Sequence, residues 1–360
     1  EGGPPAMSPA TAPPPTADLG RYARQTIHPL IGEAGQRRLG VARVLLVGCG
    51  ALGTHVADTL ARAGVGRLRV VDRDFIELNN LQRQILFDED DLARGLPKAL
   101  AAAEKLRRVN STVAVEPVVD DVNAGNIAAL IEGVDAIVDG TDNFETRYLL
   151  NDAAVKAGIP WVYGGVLATY GVTMTIVPGE TACLRCVFPD PPAPGVAPTC
   201  DTAGVLGPAV ATIAALEAAE TLKLLLGARD ALNRDLLALD IWRLRFDRLP
   251  AARLPTCPAC GDGERSYPYL DYAAASRTTT LCGRDAVQVA VNPPARLDLA
   301  ALAARLGAAG AVRANDHLLR FRPAAEERHE LVIFPNGRAI IHGTDDPALA
   351  RSLYARYIGL

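Results

Sequence analysis

Arg43-Val44-Leu45-Leu46-Val47-Gly48-Cys49-Gly50-Ala51-Leu52-Gly53 decides the fold of this 360-residue chain. Its first five residues are a largely apolar run suited to a strand buried in a parallel sheet. A G-x-G-x-x-G turn follows and opens a helical pattern from Thr54 to Arg62. A second strand pattern, Arg67 to Val71, ends in Asp72, 19 positions past Gly53. A doubly wound nucleotide-binding fold places there the carboxylate that holds a ribose. Glycines at 48, 50 and 53 permit the tight turn and let phosphate approach backbone N–H groups at a helix N-terminus. By itself the stretch says "nucleotide", and most such turns serve dinucleotides.

The residues that follow change the reading. After Asp72 come Asp74, then Asn79-Asn80-Leu81-Gln82-Arg83-Gln84, then Gly95-Leu96-Pro97-Lys98. An NAD-dependent oxidoreductase has no need of an arginine and a lysine converging on the phosphate end. An enzyme that cuts a triphosphate does, because charge builds on the phosphoryl oxygens in the transition state. No G-x-x-x-x-G-K-[ST] occurs, which excludes a P-loop enzyme. Further on, a strand pattern from Val134 to Val138 ends in Asp139-Gly140-Thr141-Asp142-Asn143. Acidic residues at the C-terminal end of a parallel strand stand where α/β sheets bind ligands. The plainer reading of Asp142 is a cap for the helix Asn143 to Ala157.

Composition sets the bounds. The chain is 49% hydrophobic and only 5% aromatic, so its core is expected to be mostly Ala, Val and Leu. A net charge of −4 gives no support for a nucleic-acid partner. Only four of the 37 Lys and Arg residues are lysine, which adds weight to a lysine at 98. There is no run of 18 apolar residues and no signal-peptide pattern, so a cytoplasmic protein without a membrane partner is expected. Glu1 to Asp18 is rich in Pro, Ala and Thr and reads as disordered, with Met7 a plausible native start and Gly2-Gly3 a linker scar.

Two cysteine pairs, Cys183-x-x-Cys186 and Cys257-x-x-Cys260, fit a closed tetrahedral zinc site. One pair alone would equally read as a redox dithiol. Between them lies a Pro-rich loop carrying Cys200, ahead of a long apolar helix from Pro208 to Leu226. The helix Ala99 to Val109, strands from Val113 and Trp161, and an antiparallel extension from Gly171 complete the main pattern. From Ser266 the chain reads as a separate small α+β unit. It carries no evident catalytic cluster, and Cys282 reads as a packed thiol. The fold class is therefore α/β: a Rossmann-like doubly wound sheet, parallel with an antiparallel extension, plus a small C-terminal α+β domain.

From about Arg21 to Cys260 these motifs occur in one order: R-Y-x-R-Q at Arg21 to Gln25, G-x-G-x-x-G, D-x-D, N-L-Q-R-Q, G-x-P-K, T-D-N and both cysteine pairs. In this the chain resembles the ThiF/MoeB/HesA family, bacterial relatives of ubiquitin-activating enzymes. The resemblance implies an ATP-binding adenylation domain with a zinc site over residues 21–265, a disordered tail over 1–20 and the small domain over 266–360. It implies that ATP lies on Gly48, Gly50 and Gly53 with Asp72 on its ribose. Asn80, Arg83, Gln84 and Lys98 would orient the triphosphate, with Mg²⁺ at Asp142 and Arg24 entering from the other subunit of a homodimer. The substrate would be a ubiquitin-like sulfur-carrier protein ending in Gly-Gly, with a cysteine desulfurase or other donor supplying sulfur. Cys200 matches a position where some members form a thioester or acyl-disulfide and others do without. The C-terminal stretches C-G-R-D-A-V-Q-V and N-G-R-A-I-I-H-G-T resemble the extension of thiamine-type members. The rival readings are an NAD-dependent oxidoreductase and a non-catalytic activation scaffold.

Overall fold

The computed structural model describes residues 19–191, 203–271, 278–281, 285–289 and 296–358. The Pro-rich tail, Cys200 and Cys282 lie outside the described residues.

Eight strands form the main sheet: β1 (Arg43–Val47), β2 (Arg67–Val71), β3 (Ala114–Val118), β4 (Ala136–Asp139), β5 (Trp161–Leu167), β6 (Tyr170–Ile176), β7 (Leu236–Asp240) and β8 (Arg245–Leu249). Their order is β3-β2-β1-β4-β5-β6-β7-β8. The first five are parallel and the last three add antiparallel strands, as the sequence pattern led us to expect. Strand order reverses between β1 and β4, and a doubly wound sheet opens its ligand crevice at such a reversal.

Alternation along the strands builds a core on each face. Val44 and Leu46 point into one core, against Val56 and Leu60 of the helix Ala51–Ala63 and Ile213 of the helix Gly207–Leu226. Leu45 and Val47 point into the other, with Tyr148 of the helix Phe144–Ala157, Trp161, and three of the paired cysteines. Tyr269 and Leu270 pack against this second core, so its packing extends past Ser266.

A second, antiparallel sheet follows: β9 (Thr278–Leu281), β10 (Ala286–Val289), β11 (Gly310–Ala314), β12 (Leu319–Pro323), β13 (Glu330–Ile333) and β14 (Ala339–His342), in the order β11-β12-β13-β14-β10-β9. One face packs on the helices Leu299–Leu306 and Pro347–Tyr357 through Val287, Phe321, Leu331 and Ile341. Asp298 and Asp346 cap those helices, each accepting a backbone N–H of the first turn. The other face meets the main unit.

Sequence pattern missed the helix Gly32–Val41 and strand β11. Glycines at 35 and 40 mask the helix, since intrinsic propensity counts against them. Gly310-Ala311-Val312-Arg313-Ala314 is an Ala-rich run that no short-range pattern separates from the preceding helix; pairing with β12 decides it.

Candidate functional site

The glycine turn sits at the β1/β4 reversal. Gly48 has φ +88°, and a side chain on it would strike the Gly140 carbonyl of the turn after β4. A side chain on Gly53 would strike the Gly48 carbonyl, so only glycine lets the helix start this close to the strand. Asp72 closes the turn from the side: its two carboxylate oxygens accept the backbone N–H groups of Cys49 at 2.6 Å and Asp74 at 2.7 Å. Burial raises its pKa, and the nearby Lys98 opposes that rise.

Lys98 is the first residue of the helix Lys98–Val109 and is almost wholly buried. Its backbone N–H donates to the Asp74 carbonyl at 2.9 Å, and its Nζ lies 3.5 Å from Asp74 Oδ2. A helix N-terminus disfavours a cation, so this placement runs against local electrostatics. Such a conflict is expected where the cation serves a bound anion. Gln84 is also buried, and its amide faces Gly50, 3.8 Å from where a Cβ would stand. Its Oε1 has no hydrogen-bond partner among the described residues, which marks a place for a donor from a ligand. Asn80 is buried and accepts the Glu77 N–H, while Arg83 donates to the Asn79 carbonyl beside it. Gly48, Gly50, Gly53, Asp72, Gln84 and Lys98 are thus drawn together from segments far apart in sequence.

The aspartates after β4 divide their work. Asp139 is fully buried and accepts from the Thr141 N–H at 2.8 Å, the Thr141 hydroxyl at 2.7 Å and Arg147 Nε at 3.1 Å. Its oxygens are spent on structure. The helix Phe144–Ala157 is capped by Asn143, whose side chain accepts the Thr146 N–H, so the capping alternative for Asp142 falls away. Asp142 is exposed at the strand end, where a carboxylate can meet Mg²⁺ carried by a triphosphate. Arg147 was not anticipated from sequence. It is buried and also donates to the carbonyls of Thr141 and Gly164. Glu217 was missed as well: burial pushes its pKa well above the usual carboxylate range, and it packs against Gly164.

Arg24 does not join the site of its own chain. The neighbouring Gln25 donates to the Ala63 carbonyl at 2.9 Å, at the far end of the 13-residue helix that the glycine turn begins. That helix is about 20 Å long, farther than an arginine side chain reaches.

The four paired cysteines converge. Sγ separations are 3.9 Å for Cys183–Cys186, 3.6 Å for Cys183–Cys257 and 3.4 Å for Cys186–Cys260, and all four lie within 4.8 Å of one another. Four sulfurs around a tetrahedral Zn²⁺ stand about 3.8 Å apart, whereas a disulfide would bring two to about 2 Å. The thiols are free, and the arrangement is that of a closed S₄ metal site. It lies in the second core, across the sheet from the glycine-turn helix.

Residues 22–259 match the ThiF family. The chain belongs to the ThiF family. As a member it is 45% identical over 343 residues to a Bacillus subtilis protein named sulfur carrier protein ThiS adenylyltransferase, covering 94% of this chain and 99% of the relative. A Haloferax volcanii relative named SAMP-activating enzyme E1 is 44% identical over 245 residues, 68% of this chain and 90% of the relative. Among solved structures, Escherichia coli MccB with ATP superposes with a TM-score of 0.57 at 27% identity, covering 67% of this chain and 74% of MccB. The ThiF match spans the whole main sheet, and the Bacillus relative extends over the second one. No helix among the described residues of this ThiF-family chain is long and apolar enough to cross a membrane.

Proposed function

We propose that this enzyme uses ATP to adenylate the C-terminal glycine carboxylate of a ubiquitin-like sulfur-carrier protein, releasing pyrophosphate, for sulfur transfer in thiamine or related cofactor biosynthesis. The observation that carries this reading is Lys98, a buried cation at a helix N-terminus beside the glycine turn. It is needed at a triphosphate and idle beside a nicotinamide, which argues against the oxidoreductase. Intact Arg83, Lys98 and Asp142 argue against a non-catalytic scaffold.

In this reading ATP lies along the glycine turn with its ribose on Asp72. Asn80, Arg83, Gln84 and Lys98 hold the phosphates. Asp142 would hold Mg²⁺, which would supply positive charge to the phosphates. A carrier carboxylate oxygen bonds to the α-phosphorus as the bond to the bridging oxygen breaks, and pyrophosphate leaves with that electron pair. A terminal carboxylate is ionised at neutral pH, so no general base is required; positioning and electrostatics suffice. The carrier's seat is the open edge of the main sheet, where Trp242, Leu244, Phe246 and Leu249 expose apolar side chains around β8. The four cysteines hold Zn²⁺ as a structural ion, since four thiolates leave no open position.

The enzyme acts as a homodimer, because Arg24 can serve a triphosphate only in trans. Exposed Ile27 and Leu30 beside it supply an apolar contact for the second subunit. The test is isotopic pyrophosphate exchange into ATP that depends on the carrier; exchange without carrier, or none with it, would overturn the reading. Arg24→Ala and Lys98→Ala should each be inactive alone and regain partial exchange when their subunits are mixed, since one site of the heterodimer holds both residues. No recovery after proven subunit exchange would place Arg24 outside the chemistry.

Cys200→Ser should leave pyrophosphate exchange intact, because adenylation needs no thiol. Thiolation of the carrier by a cysteine desulfurase or other sulfur donor should fall, with loss of any covalent enzyme–carrier adduct seen by mass spectrometry. Equal thiolation rates with no adduct in either protein would make Cys200 a bystander. Downstream of Cys200 the chain is anchored at Gly204 and Leu206: Ala168, at φ +52°, donates to the Gly204 carbonyl and accepts the Leu206 N–H.

A further inference from the structure

The second sheet grips the nucleotide site. Arg338, 3% exposed, donates from Nη2 to the backbone carbonyl of Arg73 at 2.9 Å and from Nη1 to Gln288 Oε1 at 3.1 Å. Gln288 Nε2 donates to Asp121 Oδ2 at 2.7 Å, and Arg73 Nη1 donates to Asp121 Oδ1 at 2.7 Å. These four residues form a closed ring, two from each unit. Arg73 stands between Asp72 and Asp74, so the ring pins the segment that carries the ribose aspartate and the partner of Lys98.

A second grip falls on the other side of Lys98. Asn315 Nδ2 donates to the carbonyls of Arg94 at 3.4 Å and Gly95 at 3.3 Å, at the start of the Gly95-Leu96-Pro97-Lys98 turn. Between the two, Phe75 is buried among Leu318, Val332, Phe334 and Ile340, and an isolated bridge pairs Phe75 with Pro97. An interface needed only for cohesion would be cheaper apolar throughout, because a buried guanidinium carries a desolvation penalty. A ring of directed hydrogen bonds fixes register as well.

We propose that the C-terminal unit is a positioning element for the ATP subsite, acting through Arg338, Gln288 and Asn315 on Asp72, Asp74 and Lys98. This rests on the adenylation reading for its substrate, but ATP affinity tests it without the carrier. In the full-length protein, Arg338→Met should weaken ATP binding in calorimetry about tenfold or more, with Arg338→Lys intermediate because it keeps one donor and the charge. Where exchange is measured, KM for ATP should rise by the same factor while KM for the carrier stays within about twofold. Asn315→Asp settles the matter if Arg338→Met fails to fold. It keeps the oxygen that accepts the His317 and Leu318 N–H groups and replaces the donation to Arg94 and Gly95 with a carboxylate oxygen that their carbonyls repel. It should weaken ATP severalfold while the protein stays folded by circular dichroism. Wild-type ATP affinity in Asn315→Asp and in a folded Arg338 variant overturns the proposal. A wild type that binds ATP but gives no carrier-dependent exchange sinks the adenylation reading alone, and the affinities still decide the positioning role.

Discussion

Lys98→Ala is expected to lower carrier-dependent pyrophosphate exchange a hundredfold or more while the protein stays folded. In the proposed reaction the charge it supplies faces the triphosphate from a buried position, where losing one such group typically costs on the order of 3 kcal/mol of transition-state stabilisation. The fold should survive because Asp74 keeps a second cation, Arg73, 3.8 Å away. Removing the lysine also relieves a cation at a helix N-terminus, which offsets part of the lost packing. Asp142→Ala should show a comparable loss that extra Mg²⁺ only partly restores, since Asp142 is exposed and caps no helix. Circular dichroism and thermal melting confirm the fold; near-normal exchange in either folded variant would falsify the assignment.

Removing the proposed Zn²⁺ from the four cysteines should have the largest effect on stability. Structural zinc contributes on the order of 10 kcal/mol in small domains, comparable with the net stability of most proteins. Here the site ties Cys183 and Cys186 to Cys257 and Cys260 across one core, so part of that energy should appear as global stability. Cys257→Ser, or a strong chelator, should lower the melting temperature by ~10 °C or more, the shift expected for a loss of ~5 kcal/mol. Pyrophosphate exchange measured below that transition should persist, because the cysteines pack across the sheet from the glycine-turn helix. Elemental analysis should return one zinc per chain. Absence of zinc, or inactivation by chelator without any loss of fold, would contradict a structural ion.

Sequence alone determined the strand–turn–helix that begins at Arg43, the parallel sheet with its antiparallel extension, and the convergence of the two cysteine pairs. These follow from local rules: periodicity picks strand or helix, glycine marks the turn, and thiol spacing marks a metal. Their reach is limited: Asp346-Pro347 marks the start of the last helix, but Asp142, the cap that sequence suggested for the helix before the cysteines, gives way to Asn143. Tertiary structure decided the rest. Asp139 and Asp142 lie three residues apart and look alike in sequence; only the arrival of Arg147 and Thr141 shows which one is spent. Arg24 lies near the glycine turn along the chain, yet one helix length carries it to the far end of the unit. The C-terminal unit shows no catalytic pattern, and its hold on Asp72, Asp74 and Lys98 comes from hydrogen bonds between residues more than 150 positions apart, which no local periodicity records.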